Sequence, residues 1–338
     1  MKAFVRVGAV LLLLGVAGYL LVAGSRSTPP EPETSSTAEA VARGHARHLP
    51  PTLGSRLYQY AAPGQRRFDA SQVYNPTPPP PGRAPDGVRE YELVIEEDVP
   101  HEVAPGVVIP AWTFNRSVPG PVLRATEGEL VRVTLVNKGK LPHTIHFHGI
   151  HPGNMDGVFE TVAKGDKFVY EFDAEPFGLQ LYHCHTPPLK RHIHKGLYGT
   201  FIIDPPGGRA PAKEFVMMMN GFDTNFDGEN EIYAVNTVAF HYAKNPIKVK
   251  VGELIRIYLV NITEFDPINS LHLHTGMYKM FKTGTRLDYY EYTDVVMLCQ
   301  GERAILEFTL KYPGLSMFHA HQSELAELGW LGMFEVTE

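Results

Sequence analysis

One eleven-residue pattern occurs twice in this chain. Residues 127–137 read E-G-E-L-V-R-V-T-L-V-N, and residues 251–261 read V-G-E-L-I-R-I-Y-L-V-N. Each copy precedes a histidine pair of the form H-x-H, His146/His148 in the first and His272/His274 in the second. Each then reaches a further pair, His183/His185 and His319/His321. Strand-like runs and paired motifs recurring in the same order mark two copies of one β-unit, joined near Pro205–Pro211.

From Tyr91 onward, runs such as Tyr91–Ile95, Leu130–Val136 and Lys167–Phe172 alternate apolar with polar residues, punctuated at short intervals by Pro, Gly and Asn. No long helical period intervenes, so the expected fold class is all-β, in sandwiches or barrels. With 338 residues, 43% of them hydrophobic, the chain can bury the cores of two such domains, placed at 89–208 and 209–338. Ahead of them, Lys2 and Arg6 introduce an apolar run from Val7 to Ala23, which reads as an export signal or membrane anchor over residues 1–24. Residues 25–88 are rich in Pro, Ser, Gly and Ala and read as an extended linker. The expected protein is exported, periplasmic or extracellular, with a membrane tether at its N-terminus as an open alternative. A balance of 31 Lys+Arg against 37 Asp+Glu argues against nucleic acid as a partner.

The 16 histidines are clustered, which points to metal. Along a strand, residues i and i+2 project from one face, so an H-x-H pair aims two imidazoles at one point. Eight such imidazoles exceed the four ligands of a zinc site and suit a cluster of several ions, and all-imidazole ligation suits copper. The first copy adds a thiolate: Cys184 lies inside His183-Cys184-His185, His143 stands three residues before His146, and the segment runs on to His192, His194, Gly196 and Leu197. A His–Cys–His set with a weak or absent axial partner is the blue-copper arrangement. Asn269 and Ala320 occupy the places of His143 and Cys184 in the second copy, so one thiolate site per chain is expected.

With these motifs the chain resembles the two-domain multicopper oxidases that carry type 1 copper in the first cupredoxin domain. The resemblance rests on P-H-T-I-H-F-H-G-I (142–150), Y-H-C-H-T-P-P-L-K-R-H-I-H-K-G-L-Y-G (182–199), L-H-L-H-T-G (271–276), F-H-A-H-Q-S-E (318–324) and P-G-P-V-L-R-A-T-E-G-E-L-V (119–131), and spans Tyr91 to the C-terminus. It implies two cupredoxin-like Greek-key β-sandwiches and about four coppers per chain. Type 1 copper would be held by His143, Cys184 and His192, with Leu197 at the axial place, where the spacing prefers His192 to His194. Type 2 copper would be held by His146 and His272, and the type 3 pair by His148, His183, His185, His274, His319 and His321. Electrons would enter at His192 from a phenolic compound, a metal ion such as Cu(I), Fe(II) or Mn(II), or a small redox protein, and reduce dioxygen to water. Asp156, Glu324 and Glu327 are the candidate proton-carrying carboxylates. The resemblance also implies a homotrimer with each cluster between neighbouring chains. A copper nitrite reductase shares the two-domain plan, but there an acid stands in the place of His146. A non-catalytic copper carrier would need only the blue site.

Three other features carry less. Asp223-Thr-Asn225-Phe-Asp227-Gly228 imitates the start of a calcium loop, yet the twelfth position is Ala234, so a polar β-turn is expected. Met217, Met218 and Met219 cannot face one site from a strand and are assigned to core packing. Cys299 is expected as a buried free thiol, and His151 lies outside the motif.

Overall fold

The structure, a computed structural model, describes residues 75–338. The signal or anchor at 1–24, and the linker as far as residue 74, lie outside the described residues. The first half runs through Val88–Ala104 (β1), Val107–Phe114 (β2), Leu123–Thr126 (β3), Leu130–Asn137 (β4), His146–Phe147 (β5), Lys167–Asp173 (β6), Gly178–His183 (β7), a short helix Leu189–His194 (α1) and Tyr198–Asp204 (β8). The second runs through Lys213–Phe222 (β9), Ile232–Val235 (β10), His241–Lys244 (α2), Ile247–Lys250 (β11), Ile255–Asn261 (β12), Ile268–Leu273 (β13), Tyr278–Lys282 (β14), Glu291–Thr293 (β15), Val295–Cys299 (β16), Arg303–Phe308 (β17), Gly314–His319 (β18), Ser323–Glu327 (α3) and Leu331–Thr337 (β19).

The four sheets repeat one topology. The order β2-β1-β4-β6 matches β10-β9-β12-β17, which β14 and β15 extend; β3-β8-β7-β5 matches β11-β19-β18-β13, which β16 extends. In each half the strand carrying the eleven-residue pattern pairs in parallel with the first strand, β4 with β1 and β12 with β9. The fold is therefore two cupredoxin-like sandwiches of one connectivity, which is why two sequence motifs could repeat in register.

Burial separates the two copies. β4 alternates half-buried and buried positions, placing Val131, Val133 and Leu135 in the first sandwich core with Leu93, Tyr170 and Phe201. β12 is buried throughout, because Ile255, Ile257 and Leu259 face the second core while Tyr258 and Val260 face a third apolar layer. That third layer joins Leu179, Leu181 and Ile202 from β7 and β8 to Val216, Met218 and Ile305 from β9 and β17. The three methionines divide as strand geometry requires: Met217 and Met219 pack in the second core, Met218 in the layer between the sandwiches. The C-terminal part of the linker is tied to this body. Pro78 is buried, Pro76 O accepts the Val216 amide at 2.7 Å, and Pro79 O accepts Arg124 Nη1 at 2.8 Å. Prolines donate no N–H, but their carbonyls remain free to accept.

A buried ion network joins the two halves. Arg124 on β3, 4% exposed, grips Asp204 bidentately at 2.7 and 2.9 Å and reaches Glu214 on β9 at 2.6 Å. Glu214 also accepts Arg256 at 2.9 Å and the Tyr258 hydroxyl at 2.7 Å. Burial pushes the Glu214 carboxyl up, but Arg124, Tyr258 and Arg256 outweigh it and hold the group below its usual range. Arg124→Met leaves Asp204 buried without its bidentate partner, an expected loss of about 3–5 kcal/mol of folding stability. Urea unfolding of the copper-loaded protein measures this, and a loss below about 1 kcal/mol would place the cluster among weak surface pairs.

Candidate metal centre

The thiolate group forms where three loops of the first sandwich converge. Cys184 follows the last residue of β7, His143 precedes β5, and His192 sits in α1; their ligand atoms lie within 4.8 Å of one another and all three residues are buried. Cys184 Sγ is 3.2 Å from His192 Nδ1 and 3.6 Å from His143 Nδ1. The loop closes on itself, since the Cys184 amide donates to Leu197 O at 3.0 Å and the Leu197 amide to His192 O at 3.2 Å. Leu197 is fully buried, in the same apolar core as Cys184. The choice between the two loop histidines is now physical. His194 is turned away, its Nε2 accepting the Asp223 amide at 3.0 Å and its ring edge-on to Phe265 at 4.9 Å. His192 is itself only 2% exposed, sheltered beside Trp112, whose ring lies 4.9 Å away with the Arg191 guanidinium over it.

The eight histidines of the four H-x-H pairs form two matching groups. His146 opposes His183 in the β5–β7 ladder, and His272 opposes His319 in the β13–β18 ladder. The trio His146, His148 and His183, and the trio His272, His274 and His319, each gather their ligand atoms within 4.8 Å. His185 and His321 stack on His183 and His319, with ring centroids 5.9 and 6.1 Å apart. Backbone carbonyls set the tautomers. His146 and His272 donate Nδ1–H to Asp156 O at 2.9 Å and Asp294 O at 3.0 Å; His183 and His319 donate theirs to Cys184 O at 3.0 Å and Ala320 O at 2.6 Å. The bare Nε2 of His183 then faces His148 Nε2 at 3.3 Å, and that of His319 faces His274 Nε2 at 3.0 Å. Lone pairs aimed at a common point, fixed from behind by hydrogen bonds, are how imidazoles are held for a metal ion.

The carboxylates fall out differently. Asp156 Oδ1 lies 3.1 Å from His146 Nδ1, close to its expected place, with His151 Nε2 3.5 Å from the same oxygen. Glu324 and Glu327 are exposed on α3, after His321. The mirror position of Asp156 belongs instead to Asp294, whose carboxylate is 3.8 Å from His272 Nδ1. No motif marks Asp294 in E-Y-T-D-V-V, so only the shared strand register could have found it. Three further residues were also missed: Thr144 and Ser270, whose hydroxyls receive the His185 and His321 amides at 3.1 and 2.8 Å, and Glu97, which accepts His143 Nε2–H at 3.0 Å. Thr144 and Ser270 follow His143 and Asn269 directly, so the repeat itself was their signal. Cys299 is a correction: it is exposed rather than buried, because β16 is an edge strand whose alternation turns residue 299 outward. The Asp223 segment is a polar turn, with Asp223 Oδ2 accepting the Gly228 amide at 2.8 Å and Glu231 Oε2 accepting that of Thr224 at 2.6 Å.

Burial keeps three of the candidate ligands neutral, as coordination requires: His148 is pushed down to about 3, and His183 and His192 to about 4. The Cys184 thiol moves up for the same reason, so metal binding must displace its proton. Because the unfolded chain binds protons on these imidazoles below pH 6.5 and the fold does not, the metal-free protein is expected to lose stability as pH falls from 6.5 toward 4. The slope is about 1.4 kcal/mol per pH unit for each histidine held neutral. Urea midpoints of the copper-free protein at pH 7 and pH 5 test this; equal midpoints would contradict it.

Sequence profiles described as multicopper oxidase match residues 98–208 and 209–338. The chain is 49% identical to a multicopper oxidase of known crystal structure, covering 76% of this chain and 92% of that one with a TM-score of 0.73. The chain belongs to the multicopper oxidases. Copper nitrite reductases are also similar: that of Nitrosomonas europaea is 27% identical with a TM-score of 0.69, covering 74% of this chain and 94% of that one. The copper-containing nitrite reductase of Neisseria meningitidis is 30% identical over 231 residues, which is 62% of this chain and 59% of that protein. The chain thus spans less than two thirds of the length of several curated relatives it matches. For a multicopper oxidase the donors described above fit the metal. One cysteine sulfur with two histidine Nδ1 nitrogens suits a blue site, and grouped imidazoles suit further copper.

Proposed function

We propose that this multicopper oxidase couples one-electron oxidation of a reductant, a phenolic compound or a metal ion such as Cu(I), Fe(II) or Mn(II), to the four-electron reduction of dioxygen to water. The observation that carries this is the mirrored histidine set in the second sandwich, which neither a blue electron carrier nor a mononuclear second site needs. His143, Cys184 and His192, with Leu197 beside them, would hold type 1 copper. His146 and His272 would hold type 2 copper, and His148, His183, His185, His274, His319 and His321 the type 3 pair. Copper bound there supplies one-electron acceptance at the thiolate and four-electron delivery to dioxygen at the cluster. The chain's own part is positional. Cys184 is bonded through the backbone to both His183 and His185, a short covalent path between the two donor sets. Asp156, whose carboxylate lies 3.1 Å from His146 Nδ1, would carry protons beside the cluster rather than through that ring, because Nδ1 already holds its proton against the Asp156 carbonyl.

Completing each cluster from both halves motivates a homotrimer, in which the first-sandwich group of one chain meets the second-sandwich group of the next. The exposure of His274 and His321, and of Ile150 and Phe159 at 59% and 79%, supports such a covered surface. Export, with the N-terminal apolar run as signal or anchor, completes the proposal. The test is copper per chain, typed by EPR and visible absorption, alongside solution mass by light scattering. About four coppers, one blue, one type 2 and a silent pair, in a particle of three chains is the expected result. About two per chain would move the assignment to nitrite reduction, to which the similarity with nitrite reductases lends support. A single blue copper would make the chain an electron carrier.

A further inference from the structure

The longest strand of the first sandwich breaks its register where it passes the thiolate group. Against β2, β1 shifts between Glu96 and Val99, with Asp98 in the left-handed region at φ 55°. A bulge of this kind re-aims the side chain beside it. Here it turns Glu97 inward, its side chain only 4% exposed, while Asp98 stays outside and binds Lys140 at 2.6 Å. Glu97 Oε1 accepts three N–H groups: His143 Nε2 at 3.0 Å, the Lys140 amide at 2.7 Å and the Leu141 amide at 2.8 Å. The approach requires glycine at 139, since a Cβ there would stand 2.6 Å from the same oxygen.

The second sandwich is an internal control. Ile95 pairs with Asn137 and Met219 with Asn261 at the same place of the repeated pattern, so Glu97 corresponds to Gly221. That copy also lacks the ligand, having Asn269 for His143, whose Nδ2 donates to Thr263 Oγ1 at 3.2 Å. A carboxylate against this ring position thus occurs in the copy that carries the thiolate and is missing from the copy that does not.

We propose that Glu97 is a positioning residue that sets the reduction potential of the thiolate copper: it fixes His143 with Nδ1 toward Cys184, and its charge makes that imidazole a stronger donor, favouring the oxidised ion. A carboxylate behind a ligating histidine raises its basicity, and a charge-assisted bond does so more than a neutral acceptor. The effect opposes that of Leu197, whose apolar side chain offers no axial donor and favours the reduced ion. The inference rests on the type 1 assignment, and one experiment separates the two. Copper-loaded wild type and Glu97→Gln are titrated spectroelectrochemically at the visible band. Gln keeps the shape and an acceptor oxygen but removes the charge. The variant is expected to stay blue and to shift its Cu(II)/Cu(I) equilibrium about tenfold toward Cu(I), a rise of about 59 mV for one electron. Glu97→Asp, which keeps the charge, should move less. A blue Glu97→Gln with an unchanged or lowered potential overturns the inference and leaves the type 1 assignment standing; a copper-loaded wild type without blue colour overturns both. If Glu97→Gln does not fold or load, Gly139→Ala decides, because its new methyl displaces the carboxylate without touching a ligand. The same upward shift supports the proposal, and an unshifted potential overturns it.

Discussion

Cys184→Ser is expected to give a folded, colourless protein that binds about one copper fewer than wild type and does not turn over reductant. The sulfur contributes to one group alone, standing 3.2 and 3.6 Å from the Nδ1 atoms of His192 and His143. A serine hydroxyl at that place is a hard, weakly ionised donor and does not replace a thiolate for copper. Losing an outer partner of a metal ligand costs roughly 10–100-fold in affinity or activity, so loss of the thiolate should exceed the upper end of that range. The tautomers of His146 and His183 depend on carbonyl oxygens, the latter on that of residue 184 itself, which serine retains. Cluster copper should therefore survive, and EPR should show type 2 copper without the blue signal. A Cys184→Ser protein that stays blue would remove the type 1 assignment.

The second large effect is expected at His272, and its sign pattern is the reverse. His272→Ala removes an imidazole that pairs with His319 across the β13–β18 ladder and is fixed through Nδ1 by Asp294 O at 3.0 Å. All three donors of the thiolate group come from the first sandwich. The variant should keep its blue colour and its one-electron reduction by a chemical reductant. It should lose cluster copper and more than about 100-fold of its dioxygen consumption. Oxygen-electrode rates beside visible spectra read both quantities. Full oxidase activity in His272→Ala would take the second sandwich out of the mechanism, whereas loss of colour would mean that the two groups are coupled in folding.

Much of the candidate site was legible in the sequence because its candidate ligands are local. H-x-H and H-C-H place donors two residues apart, where strand geometry brings them to one face, and duplication repeated the pattern in order. Spacing alone gave a preference for His192 over His194, which share one helix, but no physical reason for it. The structure separates them because the Asp223 amide and the Phe265 ring capture the second. Glu97 was invisible for a different reason. It lies 46 residues from His143, and without the bulge at Asp98 the alternation of β1 gives no sign that its carboxylate turns inward. Asp294 and the exposure of Cys299 likewise depend on which strand is neighbour and which is edge.

By itself the sequence determined two β-units of one connectivity, a single thiolate group in the first and a matched histidine set in each. Those follow from strand periodicity and donor chemistry, which act within a few residues. Only the tertiary structure decided that β7, β8, β9 and β12 are covered on both faces, and which loop side chains surround the ligands. Burial of the outer face of an inner sheet is a property of what packs against it. Leu181 and Val216 look alike as apolar strand residues until the two sheets that carry them meet in one layer.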